Sequence, residues 1–270
     1  MATIQTDVSN EALVTAIRAN LCSYFRHTSR SNPAENFEND RFTRWHTPFP
    51  HPWFNGVLSA DLPTNGVRSF ITESIRYFHE KGVNTFTWWM APHLKPSDWK
   101  SVLSRHNFGF SRDIPGTAVD LYKMNGATQK VDEVEIRVVR DEESLRTWAK
   151  VFTKGYGRSH DFEAVTFELW MKLGLDFPMR NYLGYLNGEP VSTSSVFFGG
   201  GVAGIYCVST LPGARRKGFG SALTVKPLLD ARDMGYRIGV LPSFEGGTNI
   251  YRKLGGRHLC QIENYYLTIL

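Results

Sequence analysis

The chain reads Gly204-Ile205-Tyr206-Cys207-Val208 and, shortly after, Arg215-Arg216-Lys217-Gly218-Phe219-Gly220-Ser221. Residues 221–234, which follow, have the composition of a helix. A strand, a glycine turn and a helix in this order predict a cradle for an anion. The turn and the start of the helix direct backbone N–H groups at one place, where the helix also carries partial positive charge. Because three basic side chains stand beside this turn, we expect an anionic ligand there.

Two common nucleotide cradles do not fit this spacing. A Walker loop needs Gly, four residues and then Gly-Lys-Ser/Thr, but Gly213 and Gly218 are followed by Phe219. A dinucleotide fingerprint needs a third small residue, and Leu223 stands at that position. It also needs an acidic residue about 20 positions further on, and none is there. The sequence therefore excludes both nucleotide interpretations.

The pattern Arg215-x-x-Gly218-x-Gly220 resembles the pyrophosphate-binding motif of the GCN5-related N-acetyltransferases, the GNAT superfamily. That motif is Arg or Gln, two residues, Gly, one residue, and Gly or Ala. The resemblance implies that acetyl-CoA is the co-substrate and that the strand Val208-Ser209-Thr210 splays from its neighbour to bind the pantetheine arm. It further implies a pyrophosphate site made of Arg215, Arg216, Lys217, Gly218, Phe219, Gly220 and Ser221.

The segment after the cradle adds to this resemblance. A strand is predicted over 236–241, and a helix follows in which Tyr251 stands four residues before Gly255. Gly256 replaces the phenylalanine that is usual in the family, and Phe244 stands where the family often has asparagine. The resemblance implies that Tyr251 protonates the leaving thiolate. The alternative role for Tyr251 is to pack its helix onto the sheet.

An internal repeat gives the predicted fold class. The helices that begin at Val67 and Gly218 are each followed by a strand, a helix and a Gly-Phe or glycine pair. We predict an α+β fold with a mixed sheet, made of two tandem GNAT-like domains, each a mostly antiparallel twisted sheet flanked by helices. The domains are predicted at 1–126 and 131–270. The first copy is predicted to be degenerate, because 64–68 holds one glycine and one arginine and therefore lacks the cradle.

Hydrophobic periodicity and turn residues predict the other elements. Two further helices are expected, and Asp141 is the predicted N-cap of the second. The strands on either side of the Asn187-Gly188 turn form a predicted hairpin. The helices are predicted over 11–25 and 141–156, and the strands over 83–90, 118–124, 182–186, 190–198 and 202–208.

Composition narrows the class of protein. The 270 residues are 41% hydrophobic, which is enough for real cores, and the net charge is a modest +5. Three widely spaced cysteines suggest neither a disulfide set nor a metal site. No signal peptide or apolar span is apparent. We expect a soluble, cytoplasmic protein with no bound metal and no membrane partner.

The general base is left open by the sequence. Between Val191 and Thr210 the strands carry no acidic residue, so a water-mediated base or an amine that arrives neutral fits this absence. Four side chains are conceivable bases, although each is more readily a surface or turn residue: Glu189, Asp161, His160 and Glu245.

Aromatic residues are concentrated in the first half, at 45–55 and at Trp88-Trp89. They either fill the core of the first domain, which we favour, or line part of an acceptor pocket. His46 and His51 lack cysteine or acidic partners at ligand spacing, so metal binding is not expected.

The sequence features bear on three candidate functions. The favoured one is a CoA-dependent N-acetyltransferase that transfers an acetyl group directly to a small primary amine or an amino-acid-like acceptor. The alternative is a non-catalytic, acyl-CoA-binding regulatory module that uses the same cradle. Nucleic-acid binding through residues 215–217 is not favoured, because no basic stripe extends this short cluster.

Overall fold

The structure is a computed structural model that describes residues 3–30, 37–38, 42–59, 66–92, 99–124, 134–242 and 247–269. The helices are α1 (Asn10–Ser29), α2 (Val67–Glu80), α3 (Trp99–Arg105), α4 (Glu142–Gly155), α5 (His160–Leu173), α6 (Phe219–Asp233) and α7 (Thr248–Lys253). The strands are β1 (Phe37–Glu38), β2 (Phe42–Trp45), β3 (Gly56–Ser59), β4 (Thr85–Met90), β5 (Gly109–Asp120), β6 (Glu135–Val138), β7 (Met179–Leu186), β8 (Glu189–Gly199), β9 (Val202–Thr210), β10 (Ile238–Pro242) and β11 (Arg257–Thr268).

The chain divides into two compact units of discontinuous sequence. Unit 1 consists of Met1–Asn20 and Pro115–Cys260, and unit 2 consists of Leu21–Ile114 and Gln261–Leu270. These ranges differ from the predicted domains, 1–126 and 131–270. One reason is that the last strand, β11, pairs antiparallel with β4 from Glu263↔Met90 to Thr268↔Thr85. The C-terminal residues therefore complete the sheet of unit 2.

Unit 1 contains a mixed sheet in which the end of β5 pairs with β10, followed by β9, β8, β7 and β6. The pair β9–β10 is parallel, and the other pairs are antiparallel. Helices cover both faces of this sheet. Ser209 faces α4, since its Oγ donates to Phe152 O at 3.4 Å. A Cβ at Gly184 would meet Leu223 of α6, so α6 covers the opposite face.

The core of unit 1 lies between α6, α7 and the sheet. It is a cluster of buried apolar side chains that includes Tyr182, Ile205, Phe219, Leu223 and Tyr251. Tyr182 Oη donates to Asp230 Oδ2 at 2.9 Å and thereby ties α6 to β7. This packing fixes the start of α6 against the end of β9, where the cradle was predicted.

The N-terminal segment belongs to unit 1 through Asn20, which is fully buried. Its Nδ2 donates to Gly199 O at 2.9 Å and Phe197 O at 3.3 Å, and its Oδ1 accepts from Tyr206 Oη at 2.8 Å. Gly204 lies directly beneath, because a Cβ there would clash with Asn20 Oδ1. A residue from the start of the chain therefore braces the β8–β9 hairpin.

In unit 2 the paired strands follow the order β1, β2, β3, β4 and the end of β11. Its core packs Ile71 and Phe78 of α2 and Leu103 of α3 against Phe86 and Trp88. This unit repeats the element order strand, helix, strand, helix of unit 1, as the internal repeat predicted. The predicted fold class, a mixed sheet flanked by helices in a tandem arrangement, is confirmed.

Three local predictions need correction or addition. The strand predicted at 118–124 is instead β5, Gly109–Asp120, followed by a 3-10 turn. Pro115 and Gly116 inside this strand have low strand propensity, which hid its first half. Helix α5 and strand β11 were not predicted. The predicted cap is confirmed, since Asp141 accepts from Ser144 N at 2.8 Å.

Candidate functional site

A gap in strand pairing opens at the predicted pantetheine position. The parallel pair β9–β10 is joined only at Gly239↔Ala203 and Val240↔Gly204. Beyond these pairs Leu241 and Pro242 continue to pair with β5, whereas they have left β9. On the side of β9 that faces away from β8, the backbone groups of residues 205–210 therefore have no partner strand among the described residues 238–242.

A bulge in β9 accompanies this separation. The register with β8 shifts between Thr193↔Ser209 and Ser195↔Tyr206, so Cys207 and Val208 together oppose one residue. Cys207 has a φ of 53°, which is unusual for a residue with a side chain. Bulges bend a strand and disturb its ladder. The bulge thus explains why β9 turns away from its neighbour at this point.

The predicted cradle lies at the N-terminus of α6. Gly218 is the N-cap residue in the left-handed conformation, with φ 91°, and no side chain caps the helix. The first backbone bond of the helix runs from Ala222 N to Gly218 O at 3.0 Å. The N–H groups of Phe219, Gly220 and Ser221 precede that bond, so they have no partner inside the helix. They are the groups that an anion would meet.

Space is open around these N–H groups. Among the atoms of the described residues, a Cβ at Gly218 would meet none within 4 Å, and a Cβ at Gly220 would meet only Ile250 Cδ1, at 3.7 Å. Glycine at 220 therefore leaves room for a ligand to approach the backbone. The contact with Ile250 also places α7, and with it Tyr251, beside the cradle.

The three basic residues of the turn have different surroundings. The guanidinium of Arg215 donates from Nε to Thr210 O at 3.1 Å and from Nη2 to Gly155 O at 2.9 Å. It joins the end of β9 to the end of α4. Arg216 and Lys217 are exposed and form no ion pair with any residue that the structure describes. Their charges are therefore available to an anion at the start of α6.

Two of the predicted binding residues have buried side chains. Phe219 is in the core of unit 1 and Ser209 faces α4. Any contact that they make with a ligand comes from the backbone. Val208, Thr210 and Ser221 are partly exposed, so side chain and backbone are both accessible there.

Tyr251 is 4% exposed and belongs to the core cluster that includes Phe219 and Leu254. Burial raises the pKa of its hydroxyl above the usual range. The hydroxyl forms no hydrogen bond with any of the described residues. Tyr251 therefore packs α7 against the core of unit 1. The role as a proton donor stays a prediction, and a phenol that keeps its proton at neutral pH is compatible with it.

The conceivable bases are not grouped at this site. Glu189 is exposed at the β7–β8 turn, and His160 and Asp161 are exposed at the start of α5. Glu245, like Phe244, lies outside the described residues. Among the residues that are described, no group of three or more His, Cys, Asp or Glu is placed to hold a metal ion.

The aromatic residues of the first half pack inside unit 2. Trp45, Phe54 and Trp88 are buried, and Trp45 stacks on Phe25 with ring centroids 4.7 Å apart. This supports the core interpretation. Throughout the described ranges, no helix combines the length and apolar character needed to cross a membrane.

Sequence reasoning missed Tyr156, at the end of α4. Its hydroxyl donates to Val208 O at 3.1 Å, in the part of β9 that β10 does not pair within the described residues. It also missed the hydroxyl residues of β8, where Ser192, Thr193, Ser194 and Ser195 are all fully buried. The signal was visible, since four consecutive hydroxyl residues between Val191 and Val196 are unusual in a central strand.

Comparisons with solved structures identify the fold. A GCN5-related N-acetyltransferase from Kribbella flavida superposes with a TM-score of 0.67 and 16% identity over 91% of this chain and 95% of its own. One from Sphaerobacter thermophilus gives 0.62 and 14% over 84% and 76%. A tandem GNAT protein from the clavulanic acid biosynthesis pathway gives 0.53 and 11% over 79% and 75%.

Comparisons of sequence are negative. The chain matches no protein-family description and no curated protein. At these low identities the structural likeness establishes the fold alone. The predicted GNAT fold is thus confirmed, while the roles of the individual site residues remain predictions.

Proposed function

We propose that the chain is a CoA-dependent N-acetyltransferase that moves an acetyl group from acetyl-CoA directly to a small primary amine or an amino-acid-like acceptor. One observation carries this proposal: among the residues that the structure describes, the edge of β9 that faces away from β8 pairs with no strand beyond Gly204, and it ends at the glycine-lined start of α6. A ligand with a pyrophosphate at one end and an amide-rich arm at the other fits a helix terminus joined to an open strand edge. Acetyl-CoA has this chemistry.

The pyrophosphate is assigned to the backbone N–H groups of 219–221, with Arg216 and Lys217 supplying charge. Arg215 shapes the cradle from behind, because its guanidinium is held by two carbonyl groups. The open space at Gly218 and Gly220 passes a simple test of fit, since among the described residues only Ile250 comes within 4 Å of a Cβ placed at either glycine.

The chemistry assigned to the chain is orientation, oxyanion stabilisation and proton transfer. The neutral amine nitrogen attacks the thioester carbonyl carbon, the C–S bond breaks, and the nitrogen releases one proton to water as the amide forms. An amine that arrives protonated first loses its extra proton to water. Backbone N–H groups between Val208 and Thr210 face the developing oxyanion. Tyr251, which keeps its proton at neutral pH, donates it to the departing thiolate.

Thioester turnover tests this proposal. Purified chain is mixed with acetyl-CoA and a panel of small amines and amino acids, and free CoA is followed with a thiol reagent. We expect amine-dependent CoA release, with the acetylated amine seen by mass spectrometry.

Two results separate the alternatives. Tight binding of acetyl-CoA without turnover of any amine would favour the regulatory acyl-CoA-binding module. A folded chain that shows no heat of binding with acetyl-CoA would overturn both proposals.

A further inference from the structure

The last four residues of β9 share an unusual feature: the carbonyl group of each accepts a hydrogen bond from a side chain. The donors come from β8, α4 and the cradle. The pairs are Thr193 Oγ1 to Cys207 O (3.0 Å), Tyr156 Oη to Val208 O (3.1 Å), Ser192 Oγ to Ser209 O (2.6 Å) and Arg215 Nε to Thr210 O (3.1 Å).

The hydroxyl groups of Ser192 and Thr193 lie in the interior of unit 1, and both donate to β9. Both residues are fully buried in a central strand, where a hydroxyl group without a hydrogen-bond partner would cost free energy. Both donate to carbonyl groups of the same short stretch of β9. Their shared target indicates a role in setting the properties of that strand.

Peptide geometry gives the direction of the neighbouring N–H groups. In a trans peptide the N–H points opposite to the C=O. Cys207 C=O turns toward Thr193 of β8, so the N–H of Val208 points away from β8. Ser209 C=O turns toward Ser192, so the N–H of Thr210 also points away. We call these two N–H groups the donor edge.

The carbonyl groups on the same side as the donor edge are already occupied. The N–H of Leu211 donates to Val191 O of β8 at 2.9 Å, so Thr210 C=O points outward, where Arg215 binds it. Val208 C=O is bound by Tyr156. On this side of β9, where residues 205–210 pair with no strand in the described part of the chain, the acceptors are therefore satisfied and the donors point toward the gap.

A hydrogen bond to the C=O of a peptide strengthens its N–H as a donor, because chains of hydrogen bonds polarise one another by roughly 10–30% per bond. We propose that Thr193 and Ser192 are positioning residues that aim and polarise the donor edge for the carbonyl groups of an acyl thioester. Thr193 acts on Val208 N–H, and Ser192 acts on Thr210 N–H. This inference rests on the proposed function.

The ligand chemistry that suits the donor edge is a row of carbonyl acceptors. An acyl-CoA carries a thioester carbonyl followed by two amide carbonyls along its arm. A thioester carbonyl gains negative charge as the amine attacks, so a polarised donor there stabilises the transition state more than the ground state. Thr193 consequently affects turnover more than cofactor binding.

The substitution Thr193→Val tests this, since it removes the hydroxyl and keeps the shape. The first readout is infrared spectroscopy of bound acetyl-CoA that carries a heavy-carbon label at the thioester carbonyl. We expect the carbonyl band of the variant to move to higher wavenumber than in the wild type, toward the band of free acetyl-CoA. With the best acceptor, kcat should fall about ten-fold, and the Kd for CoA should stay within about two-fold.

Two variants control for structure. Ser195→Ala removes another fully buried hydroxyl of β8, whose Oγ donates at 2.6 Å to Asn181 Oδ1 rather than to β9. It should leave the carbonyl band and kcat unchanged. Thr193→Ser keeps the hydroxyl and should restore both readouts. If Thr193→Val does not fold, Thr193→Ala gives the same test.

The outcomes distinguish this inference from the proposed function. If wild-type chain binds and turns over acetyl-CoA while the Thr193 variant lacking the hydroxyl shows an unshifted band and normal kcat, the inference fails and the function stands. If Ser195→Ala shifts the band equally, the effect is structural and the inference also fails. If wild-type chain does not bind acetyl-CoA, the proposed function itself fails.

Discussion

The two units share a strand, glycine turn and helix, but they differ in how the neighbouring parallel strands pair. In both, a strand leads to a helix whose N-cap is a left-handed glycine without a side-chain cap, Gly66 before α2 and Gly218 before α6. In unit 2 the parallel pair β3–β4 is joined at four successive pairs, from Gly56↔Thr87 to Ser59↔Met90. In unit 1 the pair β9–β10 is joined at two and then parts.

We infer from this difference that a glycine turn before a helix forms a cofactor site only where an open strand edge leads up to it. In unit 2 the edge is closed by backbone pairing, and a Cβ at Gly56 would come within 2.8 Å of Thr87 O. In unit 1 the bulge at Cys207 and the end of the pairing leave residues 205–210 without a partner strand on that edge among the described residues. We therefore propose that unit 1 binds acetyl-CoA and that unit 2 is a degenerate copy.

The largest expected effect comes from placing a negative charge at the second residue of each helix. Gly220→Glu puts a carboxylate where the pyrophosphate is assigned, so electrostatic repulsion and lost space should weaken acetyl-CoA binding at least about 100-fold. The matched control, Arg68→Glu, changes the same helical position of α2, where the residue is exposed. It should leave the Kd within about two-fold, as measured by calorimetry.

Equal losses in the two variants would break the comparison, because they would mean that unit 2 also takes part in binding. An unchanged Kd in Gly220→Glu, with the variant folded by circular dichroism, would remove the pyrophosphate from the start of α6.

A second difference between the units is Tyr251 in α7, since α3 contains no tyrosine. Tyr251→Phe should lower kcat about 100-fold with an unchanged Kd for acetyl-CoA, because a general acid contributes about that factor. Burial raises the pKa of this phenol, so wild-type kcat should not fall from loss of the acid as pH rises to about 10. The pH–rate profile measures this.

Tyr182→Phe is the control for that substitution, because Tyr182 is a fully buried phenol of the same core that bonds Asp230. It should reduce stability and leave kcat close to that of the wild type. If Tyr251→Phe behaves like Tyr182→Phe, then Tyr251 only packs α7 onto the sheet.

The smallest expected effect is on stability, and it tests whether the N-terminal segment braces the β8–β9 hairpin of unit 1. Asn20→Ala leaves two buried carbonyl groups and the Tyr206 hydroxyl without this partner, which should cost about 2–3 kcal/mol in the free energy of unfolding. Urea denaturation measures it. Asn10→Ala on the exposed end of α1 is the control and should cost under about 1 kcal/mol. Equal costs would show that the N-terminal segment does not brace the β8–β9 hairpin.

Local patterns predicted much of the fold. The glycine turn at 218–220, the cap at Asp141 and the hairpin around Asn187-Gly188 each depend on residues close in sequence, and all three formed. Strand β11 was missed because its partner, β4, lies far away in the chain. The same long-range pairing decides which residue ranges belong to each unit, and the sequence pattern does not reveal that pairing.

The site was predicted unevenly for the same reason. The cradle is one contiguous stretch, so its residues were readable together. The bulge is not readable, because Cys207 adopts a positive φ without glycine or asparagine to mark it. The side chains that bind the carbonyl groups of β9 come from β8, α4 and the cradle, and only the folded chain brings Tyr156 and Thr193 to that strand.

Our main proposal is that only one of the two similar units, unit 1, holds the acetyl-CoA site. Calorimetric titration of the wild-type chain with acetyl-CoA, followed by titration of Gly220→Glu under identical conditions, tests it most directly. We expect one molecule bound per chain in the wild type and no measurable binding in the variant at the same concentrations. Two molecules per chain, or one that persists in Gly220→Glu, would contradict it.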